Sequence, residues 1–471
     1  MTVYDLIVIG SGAAGATAAS TAVHLGASRV AVVERGTLWG TCVNVGCIPS
    51  KFMLTLADYH FYGNHNHPGI KVDSLFDLPR ILAEKEALIS RLTQKKADHL
   101  LTSLGVEMIR GGAEFISDRE LRIGDRIVAS DRFIIATGSS PAIPPIEGIT
   151  SVPFMTSNEA LSPKRVPDSL VIIGGRALGL EFAQLYAHFG TRVTVLQRSS
   201  RIIPEEEPEI ALLLTGYLAG EGVDIRTGAD IRKVEKAGDM ITVTVSNDGK
   251  EQKISAESLL LATGRLPNSR DLHPERAGVQ TGENGAVIVD KTLKTTAPHI
   301  WAAGDITGEP MLETSARYGG EIAAINAISG GGRQFDPTDL PWGIFTSPQV
   351  ASAGMTEEQA RHTGHSVICR CTLMNSQSRT EMIGDTRGVV KIVADKDDER
   401  ILGVHICSPI ATEIIHQGYF AVRNRLNIQD LIDTYYVFPT LSEVISVCAR
   451  SFRREDKGSC VQLTKNNSPT D

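Results

Sequence analysis

Aromatic side chains make up only 5% of this 471-residue chain, too few for the stacked-ring platforms of single-strand nucleic-acid binders. Positive charge is short as well: 47 Lys and Arg face 55 Asp and Glu, and the net charge of −8 argues against a nucleic-acid partner. No stretch approaches the roughly eighteen consecutive apolar residues of a membrane-spanning helix. The start, Met1-Thr2-Val3-Tyr4-Asp5, lacks a basic leader and runs straight into Leu6-Ile7-Val8-Ile9, so a soluble cytoplasmic protein without a membrane partner is expected. Cysteines number seven, an odd set in a long chain, which does not read as a secreted disulfide framework.

Glycine, by contrast, is plentiful at 44 residues, which favours glycine-turned α/β architecture, and the length fits about three domains. The first unit reads strand, turn, helix, strand: Leu6 to Ile9, then Gly10-Ser11-Gly12-Ala13-Ala14-Gly15, an alanine-rich helix, and Arg29 to Val33. Gly10, Gly12 and Gly15 stand where a dinucleotide fold needs a tight turn and close approach of backbone amides to a pyrophosphate. Glu34 follows Gly15 by nineteen residues, where a carboxylate accepts from a ribose 2′-hydroxyl.

A second such unit begins near Ser169, with Leu170-Val171-Ile172-Ile173, Gly174-Gly175-Arg176-Ala177-Leu178-Gly179, a helix and Arg192 to Leu196. Here Arg176 replaces the middle glycine, and the strand ends at Gln197 and Arg198 rather than an acid, with Arg201 close behind. Loss of the carboxylate and gain of guanidinium favour a 2′-phosphate, hence NADPH with NADH possible; solvated surface arginines are the alternative. Ile134 to Gly138 and Leu260 to Arg265 are similar strand endings, suited to crossings between domains. Ile300 to Asp305 is a third, ending in an acid that could meet a sugar hydroxyl. From about Leu340 the pattern changes to α+β, without a dinucleotide signature.

The segment Gly40-Thr41-Cys42-Val43-Asn44-Val45-Gly46-Cys47-Ile48-Pro49-Ser50-Lys51 is the most specific in the chain. Two cysteines five apart, with a glycine between and a proline after, can close a small redox-active disulfide at a helix start. A helix N-terminus favours thiolate, which thiol exchange and soft-metal binding both require.

These motifs, in this order, resemble the flavoprotein pyridine nucleotide–disulfide oxidoreductases from residue 1 to about 455. The resemblance implies an α/β fold with two Rossmann-like dinucleotide-binding domains, for FAD and NAD(P), plus a C-terminal α+β dimerisation domain that makes a homodimer. The expected segments are 1–148 for FAD, 149–269 for NAD(P), 270–338 returning to the FAD domain, 339–455 for the interface, and a mobile tail over 456–471. It further implies Cys47 as the flavin-proximal thiol, Cys42 as the interchange thiol, Lys51 and Glu181 as an ion pair near the flavin, and Asp305 as a ribityl-binding acid. Thr41, Gly138, Gly264 and Arg265 are further cofactor-facing candidates, as are Gly175, Gln197 and Arg198 for the nicotinamide nucleotide.

Within the family, Asp385 to Gly388, Arg423 to Arg425 and Ser347 to Ala351 are similar to mercuric reductases. Disulfide reductases of the family carry a His-Pro pair before a glutamate; here the segment is Phe438-Pro439-Thr440-Leu441-Ser442-Glu443, and phenylalanine cannot move a proton. Thr440 and His99 stand where mercuric reductases have tyrosines, and the tail offers one thiol, Cys460, instead of adjacent cysteines. The resemblance therefore implies reduction of Hg(II), held by Cys42 and Cys47 with Cys460 as a candidate relay. The alternatives are reduction of a disulfide, in the manner of dihydrolipoamide dehydrogenase or glutathione reductase, reduction of another soft electrophile, and a flavin–thiol redox or metal sensor. Cys369, Cys371, Cys407 and Cys448 read as structural, and His60, His65 and His67 as a polar turn rather than a metal site.

Overall fold

The computed structural model describes residues 2–64, 69–70, 72–247, 249–308, 310–454 and 460. Short Val, Ile and Leu runs between glycine turns form strands buried on both faces, the pattern of parallel sheets covered by helices. Leu6–Ile9, Val30–Glu34, Glu107–Arg110, Phe133–Ile135 and Ile300–Ala302 make a five-stranded parallel sheet, with Leu6–Ile9 at its centre. Helix Ala13–His24 buries Ala14, Ala18, Ala19 and Ala22. It lies so close to helix Glu313–Ser329 that a Cβ at Gly320 would stand 2.3 Å from the Ala14 carbonyl oxygen.

The second parallel sheet has four strands, in spatial order Asp224–Arg226, Arg192–Leu196, Ser169–Ile173 and Ser258–Leu261, and an antiparallel meander spans Asp230–Ala237, Met240–Asn247 and Lys250–Ala256. The α+β portion is a five-stranded antiparallel sheet in the order Trp342–Ile344, Gln349–Gly354, Ile401–Ser408, Val389–Asp395, Val367–Leu373. Helices Ala411–Arg423 and Glu443–Ser451 bury Ile414, Ile415, Val444 and Ile445 in the core with its strands. The expected α/β class with two Rossmann-like sheets is therefore present. Residues 1–53, 77–142 and 264–337 form one compact unit; residues 54–76, 143–263 and 338–471 form the other. Among the described residues no helix is long and apolar enough to cross a membrane.

In the second unit a buried histidine stands between two carboxylates at the end of helix Ala177–His188. The His188 ring stacks on Phe61 at 4.0 Å, its Nδ1 lies 2.9 Å from Asp58, and its Nε2 lies 3.1 Å from Glu221. Burial alone would depress the imidazole pKa, but the two carboxylates outweigh burial and raise it. A raised folded-state pKa stabilises the fold fully below the ordinary His value of about 6.5 and ceases to do so as pH rises through the folded value. The variant His188→Gln leaves Asp58 facing a neutral amide, while Glu221 keeps Arg387 at 2.8 Å, and is expected to cost about 2 kcal/mol. Its melting-temperature deficit against wild type should be largest near about pH 6 and smaller near about pH 9; a deficit that does not change with pH contradicts the charged state of the ring.

Candidate active site

The site grows out of the first glycine turn. Gly10 has φ +109°, and a Cβ there would lie 2.2 Å from the Ala136 carbonyl oxygen, so only glycine fits. Ser11, next in line, ties three segments together. Its N–H and hydroxyl both donate to Glu34 Oε2, at 3.0 and 2.7 Å, while its Oγ accepts from the Trp39 N–H at 2.8 Å. The chain after Trp39 then crosses the turn closely enough that a Cβ at Gly40 would meet Gly12 Cα at 2.7 Å. That contact carries the cysteine segment to the start of helix Ala13–His24.

Cys42 lies on the short helix Gly40–Asn44, and Cys47 is the first residue of helix Cys47–Gly63. Gly46 joins them, and a Cβ there would lie 2.8 Å from the Thr41 carbonyl oxygen; the missing side chain lets the two helices close. Asn44 fixes the first helix by donating to the Leu38 and Gly40 carbonyls, at 2.7 and 2.8 Å. Cys47 is exposed and Cys42 half-buried. The Cys42 thiol is pushed far above its ordinary pKa, first by its hydrogen bond with Cys47, then by burial and the Glu313 carboxylate. Two such coupled thiols give up one proton between them far more readily than two.

Beside them the candidate cofactor-facing residues converge. Ser139 donates its hydroxyl to Asp305 Oδ2 at 2.6 Å, and Arg265 donates to the Ser139 Oγ and carbonyl, both at 2.6 Å. Arg265 also reaches Thr41 Oγ1 at 3.5 Å. The two crossing segments meet as an antiparallel pair, Ser139–Pro141 with Arg265–Pro267, and Gly138 accepts from the Asn268 N–H at 2.9 Å. Ser11 and Ser139 were not candidates from the sequence, although each sits within or directly after a glycine motif.

The second nucleotide unit repeats the turn with a neutral partner. Gln197 Oε1 accepts from the Gly175 N–H at 2.8 Å, as Glu34 accepts from Ser11. Gln197 is thus a brace for its own turn. Arg198 is exposed, whereas Arg201 donates to the Pro204 and Glu206 carbonyls at 2.7 and 3.2 Å, which spends it on its own loop. Arg176, in place of the middle glycine, keeps extended backbone at the start of helix Ala177–His188 and lies 3.5 Å from Glu205.

The remaining candidates are placed by their own elements. Lys51 lies on helix Cys47–Gly63, and Glu181, buried on helix Ala177–His188, accepts from the Phe345 N–H at 2.9 Å. Glu443 accepts from the Thr440 N–H at 3.1 Å, bracing the start of its helix, and Phe438 is exposed. His99 is exposed on the π-helical turn Asp98–Ser103. His60 packs edge-on to Phe76 and meets Ser74 Oγ at 3.1 Å, while His65 and His67 lie outside the described residues. One expectation needs correction: Cys460 is not a single free thiol but is buried in a disulfide with Cys371, which in turn is not a plain core residue. Nothing in the spacing of two cysteines 89 residues apart announces that pairing.

Two parallel nucleotide-binding sheets, with a dithiol at the mouth of the first, define an oxidoreductase of the two-dinucleotide class. Residues 4–320 match the family model for pyridine nucleotide-disulphide oxidoreductases, and residues 340–448 match its dimerisation domain. The chain belongs to this family. It is 37% identical over 460 residues to a mercuric reductase of Staphylococcus aureus, covering 97% of this chain and 84% of that protein. It is also 34% identical over 464 residues to a dihydrolipoyl dehydrogenase of Thermus scotoductus, covering 97% and 98%. A solved structure of the HOCl-induced flavoprotein disulfide reductase RclA from Escherichia coli superposes with a TM-score of 0.86 at 32% identity, covering 95% of this chain and 99% of that one.

The family implies FAD and a pyridine nucleotide, and the first turn fits a dinucleotide pyrophosphate. No side chain caps helix Ala13–His24 at Gly12, so its first N–H groups face outward. A Cβ on Gly12 would meet nothing nearer than Gly40 Cα at 3.9 Å, so the space over the helix start is open. The two glycines should therefore separate. Gly12→Ala is expected to fold but to bind flavin at least about ten-fold more weakly. Gly10→Ala should fail to reach a stable fold at all. Flavin-to-protein ratio and melting temperature read the two outcomes; equal effects from both substitutions contradict this geometry.

Proposed function

We propose that this flavoprotein passes electrons from NADPH to the Cys42–Cys47 pair and on to Hg(II), yielding elemental mercury. The observation that carries the reading is the dithiol itself: two thiols sharing one hydrogen bond on adjacent helix ends, in a chain with Phe438 where thiol-exchange enzymes of the family keep a proton-moving histidine. A soft dication needs two thiolates and no proton shuttle. FAD, when bound, supplies the two-electron link between nicotinamide and thiols. The overall balance is NADPH plus Hg(II) giving NADP⁺, one proton and Hg(0).

The chain's own residues serve that transfer as follows. The Gly10–Gly15 turn and the start of helix Ala13–His24 hold the pyrophosphate, Glu34 the adenosine ribose, and Asp305 with Arg265, Ser139 and Thr41 the ribityl side. Cys47, at a helix N-terminus, takes the flavin-proximal role, and Cys42 meets the acceptor. Arg198 reads the 2′-phosphate of NADPH. The dimerisation-domain match supports a homodimer, as does exposed apolar surface at Phe420, Tyr435, Val437 and Phe438.

A disulfide acceptor is the second reading, favoured by the absence of adjacent C-terminal thiols and by the engagement of Cys460 with Cys371. NADPH oxidation by the holoenzyme with Hg(II), lipoamide or glutathione disulfide, in excess competing thiol, separates the two. Hg(II) should give the highest kcat/KM, and Cys42→Ser should lower it by at least about a thousand-fold. Preference for either disulfide would move the assignment to the second reading, and a single stoichiometric turnover would make the protein a sensor. Nucleotide choice is a separate expectation: Arg198→Ala should raise KM for NADPH about ten-fold, since one charge-assisted contact is worth about 1.5 kcal/mol or more, and leave KM for NADH unchanged. An equal rise for both nucleotides contradicts 2′-phosphate recognition by Arg198.

A further inference from the structure

The second unit contains a row of polar side chains running across the antiparallel sheet. Cys371 lies directly opposite Lys391, Lys391 opposite His405, and His405 opposite Ser352, so all four occupy one face on four neighbouring strands. Glu206, Glu207 and Glu209 cover the row. Lys391 Nζ lies 2.8 Å from Glu207, 3.1 Å from Glu209 and 3.0 Å from Glu357, and His405 Nδ1 lies 2.8 Å from Glu206. Among the described residues, the buried basic side chains within ion-pair distance of Glu206, Glu207 and Glu209 are Lys391 and His405. The Cys371–Cys460 disulfide closes the Cys371 end of this row, and the two sulfurs and a Glu209 oxygen all lie within 4.8 Å of one another.

We infer that Cys371, Cys460 and Glu209 form a second, redox-gated cation site: closed as the disulfide, and able to bind Zn(II) once the disulfide is reduced. Three arguments support it. First, two thiolates and a carboxylate are a tetrahedral zinc ligand set with one position left for water, and parting the sulfurs to about 3.8 Å supplies one edge of that tetrahedron. Second, surplus buried carboxylate penalises a bare thiolate. A thiolate beside these acids needs a cation with it, which makes the pair a poor nucleophile and a good ligand. Third, Glu209 can turn one oxygen to a metal without stranding Lys391, which keeps Glu207 and Glu357.

The chemistry balances in both directions. A cellular dithiol reduces the Cys371–Cys460 bond, becoming a cyclic disulfide and leaving two thiols; Zn(II) then displaces both thiol protons. In reverse, a small-molecule disulfide takes two electrons from the zinc-bound thiolates, is released with two protons as two thiols, and Zn(II) leaves as the Cys371–Cys460 bond re-forms. The active-site pair is kept out of the measurement by working with holoenzyme carrying Cys42→Ser and Cys47→Ser.

Zn(II) uptake by that protein is followed by equilibrium dialysis, before and after reduction with a trialkylphosphine that is then removed without air. The expected result is one additional Zn(II) per chain on reduction and none in the oxidised protein. Cys460→Ser and, separately, Cys371→Ser should abolish the increment, and Glu209→Gln should weaken it at least ten-fold. Retained flavin absorbance and melting temperature show that each variant is folded. Cys460→Ala provides a second thiol deletion should Cys371→Ser fail to fold. No increment on reduction, or an increment that survives loss of Cys460, overturns the proposal.

Discussion

Both nucleotide-binding sheets depend on a carbonyl oxygen standing where a side chain would otherwise be. A Cβ at Gly10 would lie 2.2 Å from the Ala136 oxygen, and one at Gly174 would lie 2.2 Å from the Ala262 oxygen. Those contacts hold the end of one strand against the next as the chain turns into a helix, and they aim the helix start at the carboxyl edge of the sheet. The first turn then accepts the cysteine segment through Gly40 against Gly12, so Cys42 and Cys47 inherit their position from a backbone contact. Over the second turn the crossing segment is residues 202–203, whose Ile203 N–H donates to the Gly175 carbonyl at 3.0 Å, and it carries no cysteine. The brace of that turn, Gln197, does for Gly175 what Glu34 does for Ser11, without the charge.

What could be read from the sequence follows from this locality. A glycine turn, a strand of Val and Ile, and two cysteines five apart with a glycine between are short-range devices whose geometry is set within a few residues. The candidates Asp305 and Arg265 stand out for the same reason, as the ends of strands. Contacts made across the chain do not. The partners of His188 lie 130 and 33 residues away in sequence, and no periodicity in the helix announces an imidazole between two carboxylates. Alternation along Val367–Leu373 correctly puts Cys369 and Cys371 on one face, but it says nothing of Cys460 arriving over it. Arg201 shows the opposite failure: its position in sequence suggested a ligand, and its side chain satisfies two loop carbonyls.

The buried charges of the second unit act more on uniqueness than on net stability. Replacing a buried ion pair by apolar residues of similar shape is often neutral or better, whereas removing one partner is costly. A row such as Cys371, Lys391, His405 and Ser352 has a further consequence, because strand side chains alternate faces. A one-residue slip of Val389–Asp395 would move Lys391 away from Glu207 and Glu209 and press an apolar neighbour against them. Apolar packing alone tolerates near-equivalent registers better than an unpaired buried ammonium does.

The two cysteine pairs show how electrostatics divides one functional group between two chemistries. Cys47 opens a helix and stands near the Arg265 guanidinium, whose charge it supports against the cost of burial. An exposed sulfur beside a half-buried one is suited to exchanging electrons with whatever approaches. Cys371 instead looks onto Glu209 and the carboxylates held by Lys391, where a negative sulfur is repelled unless a bond neutralises it. Disulfide formation is one such bond and coordination to a dication is the other. The same pair of sulfur atoms therefore has two neutralised states open to it in this setting, the disulfide observed and the dication complex we propose.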